Sequence, residues 1–94
     1  MRRWPGGSPT GGISTRIRVI YFASYRDFTG LTEEEFWLPQ GSMVEALMKA
    51  VKSRHEALRY EKRMLLAVNG EFAEPEAVLE EGDVAALFPP VSGG

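Results

Sequence analysis

Only one segment of this chain carries the periodicity of an amphipathic helix, and that limits what the rest can be. Val44, Leu47, Met48 and Val51 recur at i, i+3, i+4 and i+7, a single apolar stripe that needs another layer to cover it. A lone helix cannot bury its stripe against itself, so the remaining segments must supply a sheet. Ser42 and Glu45 have the S-x-x-E spacing of a capping box at the helix start. Glu45 and Lys49, four apart, share the exposed face. The helix is expected to fade near Ser53 to His55. At 94 residues the chain has room for one domain with a small core.

The segments around the helix read as strands. Arg16 to Ala23 (RIRVIYFA) is rich in β-branched and aromatic residues. Ile17, Val19 and Tyr21 alternate on one face, Ile20 and Phe22 on the other. A strand apolar on both faces lies inside a sheet or presents a binding surface. Ser24 to Thr32 reads as a loop or short turn. Glu34 to Leu38 reads as a second strand, with Phe36 and Leu38 facing one way and Trp37 the other, ended by Pro39 and Gly41. Glu56 to Arg63 reads as a charged loop with at most a helical turn. Leu65 to Val68, Asn69-Gly70 and Glu71 to Ala73 form a hairpin, because Asn-Gly suits a type I′ turn. Pro75 to Leu79 connects to a turn at Glu81 to Asp83. Val84 to Phe88 is the last strand, stopped by Pro89-Pro90. The expected class is α+β, a small mixed sheet with one main helix on one face.

Composition and residue types exclude several classes of chemistry. The chain has no cysteine, so it has no disulfide framework, no thiolate nucleophile and no cysteine-type zinc site. Its one histidine, His55, cannot build a histidine metal cluster and reads as a surface residue. Glu33, Glu34 and Glu35 read as solvated charge on a strand edge. Eleven basic against thirteen acidic residues argue against nucleic acid as a partner. No apolar run approaches a membrane span. Arg2 and Arg3 are not followed by an apolar stretch, so no signal peptide is expected and a cytoplasmic location is. Residues 1–14, with paired glycines and Pro5 and Pro9, read as a flexible leader in which Trp4 is exposed. Residues 15–90 then form the domain, and 91–94 an extended tail.

The unusual feature is that tail. From Val84 to Gly94 (VAALFPPVSGG) no side chain carries a charge. Pro89 and Pro90 stiffen the way out of the last strand, and four further residues reach ~13 Å when extended. Gly93 and Gly94 lack Cβ atoms, so backbone and α-carboxylate fit a channel too narrow for other residues. The group delivered is the Gly94 carboxylate, which adenylation would turn into an acyl donor and a sulfur nucleophile into a thiocarboxylate. An idle glycine end stands beside this reading as the alternative.

Three segments, VIYFASYRDFTG (Val19 to Gly30), LLAVNGEF (Leu65 to Phe72) and EGDVAALFPPVSGG (Glu81 to Gly94), resemble the small-subunit family of molybdopterin synthase. These are β-grasp, ubiquitin-like sulfur carriers. The resemblance implies a β-grasp fold and a chain that is not an enzyme alone. An E1-like adenylyltransferase would use ATP to activate Gly94, with no cofactor or metal held by the chain itself. A sulfur-transfer enzyme would then make the thiocarboxylate. The tail Phe88, Pro89, Pro90, Val91, Ser92 and Gly93 would insert into the large subunit. There sulfur would pass to cyclic pyranopterin monophosphate, within a heterotetramer whose catalytic residues belong to the large subunit. Phe22 and Arg26 match the motif that meets partners. Asn69 and Gly70 read as turn makers. Glu71 to Asp83, with six carboxylates and no basic residue, reads as solvated surface, with steering of a basic partner as the alternative. The leader departs from the family's usual form. Sulfur delivery to another product, thiazole or an amino acid, and ubiquitin-like modification of lysines are the alternative functions.

Overall fold

The strands and the main helix form where the periodicities place them, and a second, short helix joins them. The computed structural model describes residues 14–90. Its elements are β1 (Ser14–Tyr21), α1 (Ser24–Thr29), β2 (Glu33–Pro39), α2 (Val44–Arg54), a 3₁₀ turn (Glu56–Leu58), β3 (Leu65–Val68), β4 (Glu71–Phe72) and β5 (Val84–Phe88). The sheet order is β2-β1-β5-β3-β4. β1 and β5 pair in parallel, and the other neighbours are antiparallel. The first and last strands therefore lie side by side in the middle of the sheet. Of the predicted leader, residues 1–14, Ser14 is instead the first residue of β1, paired with Pro39; residues 1–13 and the predicted tail residues Val91, Ser92, Gly93 and Gly94 lie outside the described residues.

One face of the sheet is covered. Ile17, Val19 and Tyr21 of β1, Phe36 and Leu38 of β2, Leu66 of β3 and Ala85 and Leu87 of β5 form a core with Val44, Leu47 and Val51 of α2. The pairs Val19–Ala85, Tyr21–Leu87 and Ile17–Phe36 are in register, so the inward residues of three strands stand in rows. The opposite face carries Arg16, Arg18, Glu35, Trp37 and Val84 at one end and Ile20, Ala86 and Phe88 toward the other.

Several local expectations change. β1 stops at Tyr21 instead of continuing to Ala23, because Ala23 takes a positive φ of 53° and swings the chain out of the sheet. Ser24 to Thr29 is a helix, not a loop. Tyr25 is fully buried, the Thr29 hydroxyl donates to the Tyr25 carbonyl, and Gly30 closes the turn in the left-handed region at φ 75°. The capping box at Ser42 does not form. The Ser42 hydroxyl donates to the Pro39 carbonyl at 2.6 Å, and Met43 is the N-cap. The amides of Val44 and Glu45 donate instead to the carbonyls of Ala77 and Pro75, at 2.8 and 3.0 Å. The connector after β4 thus satisfies the helix start with backbone where a side chain was expected to do so. Asn69 and Gly70 take φ 52° and 90°, as a type I′ turn requires. Asn69 does more than turn the chain. Its side-chain amide donates to Asp83, and its carbonyl oxygen accepts from the Val84 amide, which ties the hairpin to the start of β5.

The 3₁₀ turn buries Leu58 completely between α1 and α2. Leu58→Ala is expected to cost about 3 kcal/mol, measured as a lower midpoint in chemical denaturation with an unchanged slope.

Candidate functional site

The end of β5 brings the sequence-predicted residues Phe22 and Phe88 together. Leu87 points into the core, so strand alternation turns Phe88 to the open face. The Phe22 amide donates to the Leu87 carbonyl at 3.1 Å, one bond beyond the β1–β5 ladder. That bond fixes Phe22 beside Phe88. Their rings stack with centroids 5.0 Å apart and planes 8° from parallel, a contact worth about 1 kcal/mol beyond its area. Phe22 is 39% exposed, so it belongs to the surface and not to the sheet core. Phe72 of β4 adds a third ring, 6.1 Å from Phe88 and 75% exposed. Sequence reasoning missed Phe72, although its place opposite Ala67 across the Asn69-Gly70 turn follows from the hairpin register.

Pro89 and Pro90 leave this aromatic patch directly, Pro89 half-buried and Pro90 exposed. Neither has an amide hydrogen to extend the ladder. Arg26 stands nearby on α1, exposed. Its backbone is used in the helix, and its guanidinium has no ion pair with any described residue. Buried Tyr25 anchors α1 by donating from its hydroxyl to Glu61 at 2.9 Å. Burial, then that hydrogen bond to a carboxylate, pushes the phenol well above its ordinary range.

A second cluster lies on the reverse face at the same end of the sheet. Glu34 is opposite Val19 and so points inward, on the side of Phe36 and Leu38. It accepts hydrogen bonds from the Tyr21 hydroxyl and from His55 Nε2, and from Arg54 at 3.0 Å. Arg54 also donates to the Glu35 carbonyl and lies 3.9 Å over the Phe36 ring. The expectations for two of these residues are corrected. His55 is not a surface histidine but a largely buried partner of Glu34, and Glu34 is not solvated; their side chains are 13% and 14% exposed. The signal was present in the strand parity, since Glu34 is two residues from Phe36 and four from Leu38. Burial alone would raise the Glu34 carboxyl. The donors Tyr21, His55 and Arg54 outweigh it and hold the group below its ordinary value of 4.5. Burial and the Glu34 carboxylate push the Tyr21 phenol far up. Tyr21 directly precedes Phe22, so this cluster steadies the patch from behind.

Chemically, the patch offers an apolar contact surface at the root of an uncharged chain end. Among the described residues no group of three histidine, cysteine, aspartate or glutamate side chains is placed to hold a metal ion. No helix among them is long and apolar enough to cross a membrane.

The sequence model of the ThiS family matches residues 19–94. The molybdopterin synthase sulfur carrier subunit of Chlamydomonas reinhardtii is 37% identical over 82 residues, 84% of this chain and 99% of the relative. Among solved structures, a Pyrococcus furiosus protein described as molybdopterin converting factor subunit 1 superposes with a TM-score of 0.79 at 37% identity. It covers 83% of this chain and 100% of its own. A chain from the complex of subunits 1 and 2 of the Helicobacter pylori molybdopterin-converting factor matches at TM-score 0.55 and 26% identity. It covers 85% of this chain and 100% of its own. The mixed sheet and its grasped helix are the ubiquitin-like β-grasp fold.

Glu34→Gln is expected to lower stability at neutral pH by about 2 kcal/mol, the worth of hydrogen bonds to a charged acceptor. Because the folded carboxyl is depressed, its contribution is complete above 4.5 and drains away as pH falls through the lower folded value. Denaturation of both proteins across that acid range should show the gap between them closing.

Proposed function

Since this chain belongs to the ThiS family, together with the molybdopterin synthase sulfur carrier subunits it resembles, we propose that it carries sulfur on its terminal carboxylate for molybdopterin synthesis. The Gly94 carboxylate attacks the α-phosphate of ATP on an E1-like adenylyltransferase, and pyrophosphate leaves. A sulfide-level donor on a sulfur-transfer enzyme then displaces AMP and leaves a thiocarboxylate. The tail Val91 to Gly94 enters the large subunit, led by Phe88, Pro89 and Pro90. There the sulfur passes to cyclic pyranopterin monophosphate and water restores the carboxylate. Catalytic groups are supplied by the large subunit and the loading enzyme, and the chain acts in the cytoplasm as their substrate. Residues 15–90 serve as the body and 91–94 as the arm.

The observation that carries this reading is the stack of Phe22 on Phe88 at the root of an uncharged F-P-P-V-S-G-G end. The Helicobacter pylori complex of subunits 1 and 2 supports a large subunit as the partner that meets it. The F-P-P-V-S sequence before the two glycines favours the molybdopterin product over thiazole.

The protein isolated from cells containing its loading enzymes is expected to include a form in which sulfur replaces one terminal oxygen, read by intact mass. Deleting Gly94 should abolish sulfur delivery and leave the thermal midpoint almost unchanged, since no core residue is touched. An unfolded deletion variant, or lasting absence of the thiocarboxylate, would overturn the proposal. Phe22→Ala should weaken binding to the large subunit about 10-fold or more, an interface aromatic being worth over 1 kcal/mol, as titration calorimetry would measure.

A further inference from the structure

The loop between the 3₁₀ turn and β3 carries Arg59, Lys62 and Arg63, all exposed. It runs to the same end of the sheet as the aromatic patch. Tyr25 of α1 donates to Glu61 within it, and Leu65, two residues after Arg63, is directly opposite Phe88 in the β3–β5 ladder. Arg26 follows Tyr25 on α1. The root of the tail therefore lies between one cation on α1 and three on this loop. None of the four has an ion pair with a described residue; Arg18, Lys49 and Lys52 share that freedom, and what sets the four apart is their place at the root of the tail. The acids in α1 and this loop are Asp27 and Glu61, with Glu56 in the 3₁₀ turn before the loop, and Glu61 is engaged by Tyr25. From Val84 to Gly94 no carboxylate side chain offsets the collar.

We propose that Arg26, Arg59, Lys62 and Arg63 form a basic collar that docks on an acidic rim around the mouth of the large subunit's tail channel. The anatomy favours a protein partner. Exposed aromatic rings at the centre with charges around them match the apolar core and polar rim of a protein interface, and a chain of net charge −2 is poorly suited to nucleic acid. Unpaired like charges around a patch act chiefly at long range, so they orient the approach and raise the association rate more than they slow departure. The collar turns the uncharged arm toward the channel before any ring makes contact. This inference rests on the large subunit being the partner.

The test is association kinetics of the full chain with the large subunit from the same organism. Arg59→Glu/Lys62→Glu/Arg63→Glu is compared with Lys49→Glu/Lys52→Glu, a reversal on the helix covering the other face. The collar variant should associate about 10-fold more slowly at low salt, with dissociation nearly unchanged. The difference should vanish at high salt, where charges are screened, and the helix variant should match the unaltered protein. Circular dichroism confirms that both variants are folded, and Lys62→Glu alone, expected to give a smaller slowing, serves if the triple variant is not. An association rate unaffected by collar reversal, or slowed equally by helix reversal, would overturn the collar while leaving the carrier reading intact. Failure of the unaltered protein to bind the large subunit would overturn both.

Discussion

The parallel pairing of β1 with β5 is the constraint on which the rest of the fold depends. It joins the start of the described chain to its end across the centre of the sheet, with Val19 beside Ala85 and Tyr21 beside Leu87. Parallel neighbours cannot be linked by a tight turn. All of β2, α2 and the β3–β4 hairpin must therefore fit between the two strands in sequence while packing around them in space. The same pairing brings Phe22 against Phe88. An exposed aromatic stack made of residues 66 positions apart is thus a direct product of the central ladder.

Much of this was legible in the residues. The apolar stripe of α2, the Asn69-Gly70 turn and the β5 strand with its diproline stop each depend on local pattern, and each forms where the pattern places it. Apart from the early end of β1, set locally by the positive φ of Ala23, the failures share a cause: a distant partner decided the outcome. Ser42 was positioned to cap a helix, but the backbone carbonyls of Pro75 and Ala77 accept from the first amides in its place. Ser24 to Thr29 has little helical pattern of its own and is held by the burial of Tyr25. The Phe22–Phe88 stack was out of reach for the same reason, since parallel pairing leaves no local signature. For Phe22 and Arg26 it was the family resemblance, and not periodicity, that singled them out.

Glu34 shows how a surface-like residue becomes structural. Three consecutive glutamates on an edge strand look like simple solvation, yet strand parity turns the middle one inward. There it gathers donors from β1 and from the end of α2. A carboxylate aimed at the interior of an edge strand also discourages another strand from adding to it. One side chain therefore closes the helix onto the sheet and protects the sheet's open border.

The central position of β5 has a mechanical consequence. Under the proposed function, an arm drawn into a channel and withdrawn again would pull on the strand that bears it. β5 is bonded to β1 on one side and β3 on the other, and the pull runs along its length. Such a load strains both ladders in shear, so their bonds must yield together and cannot unzip one by one. A terminal strand at the sheet's border, paired on one flank only, would have half that grip; β5, anchored between two neighbours, is the strand best placed to bear repeated loads without unravelling.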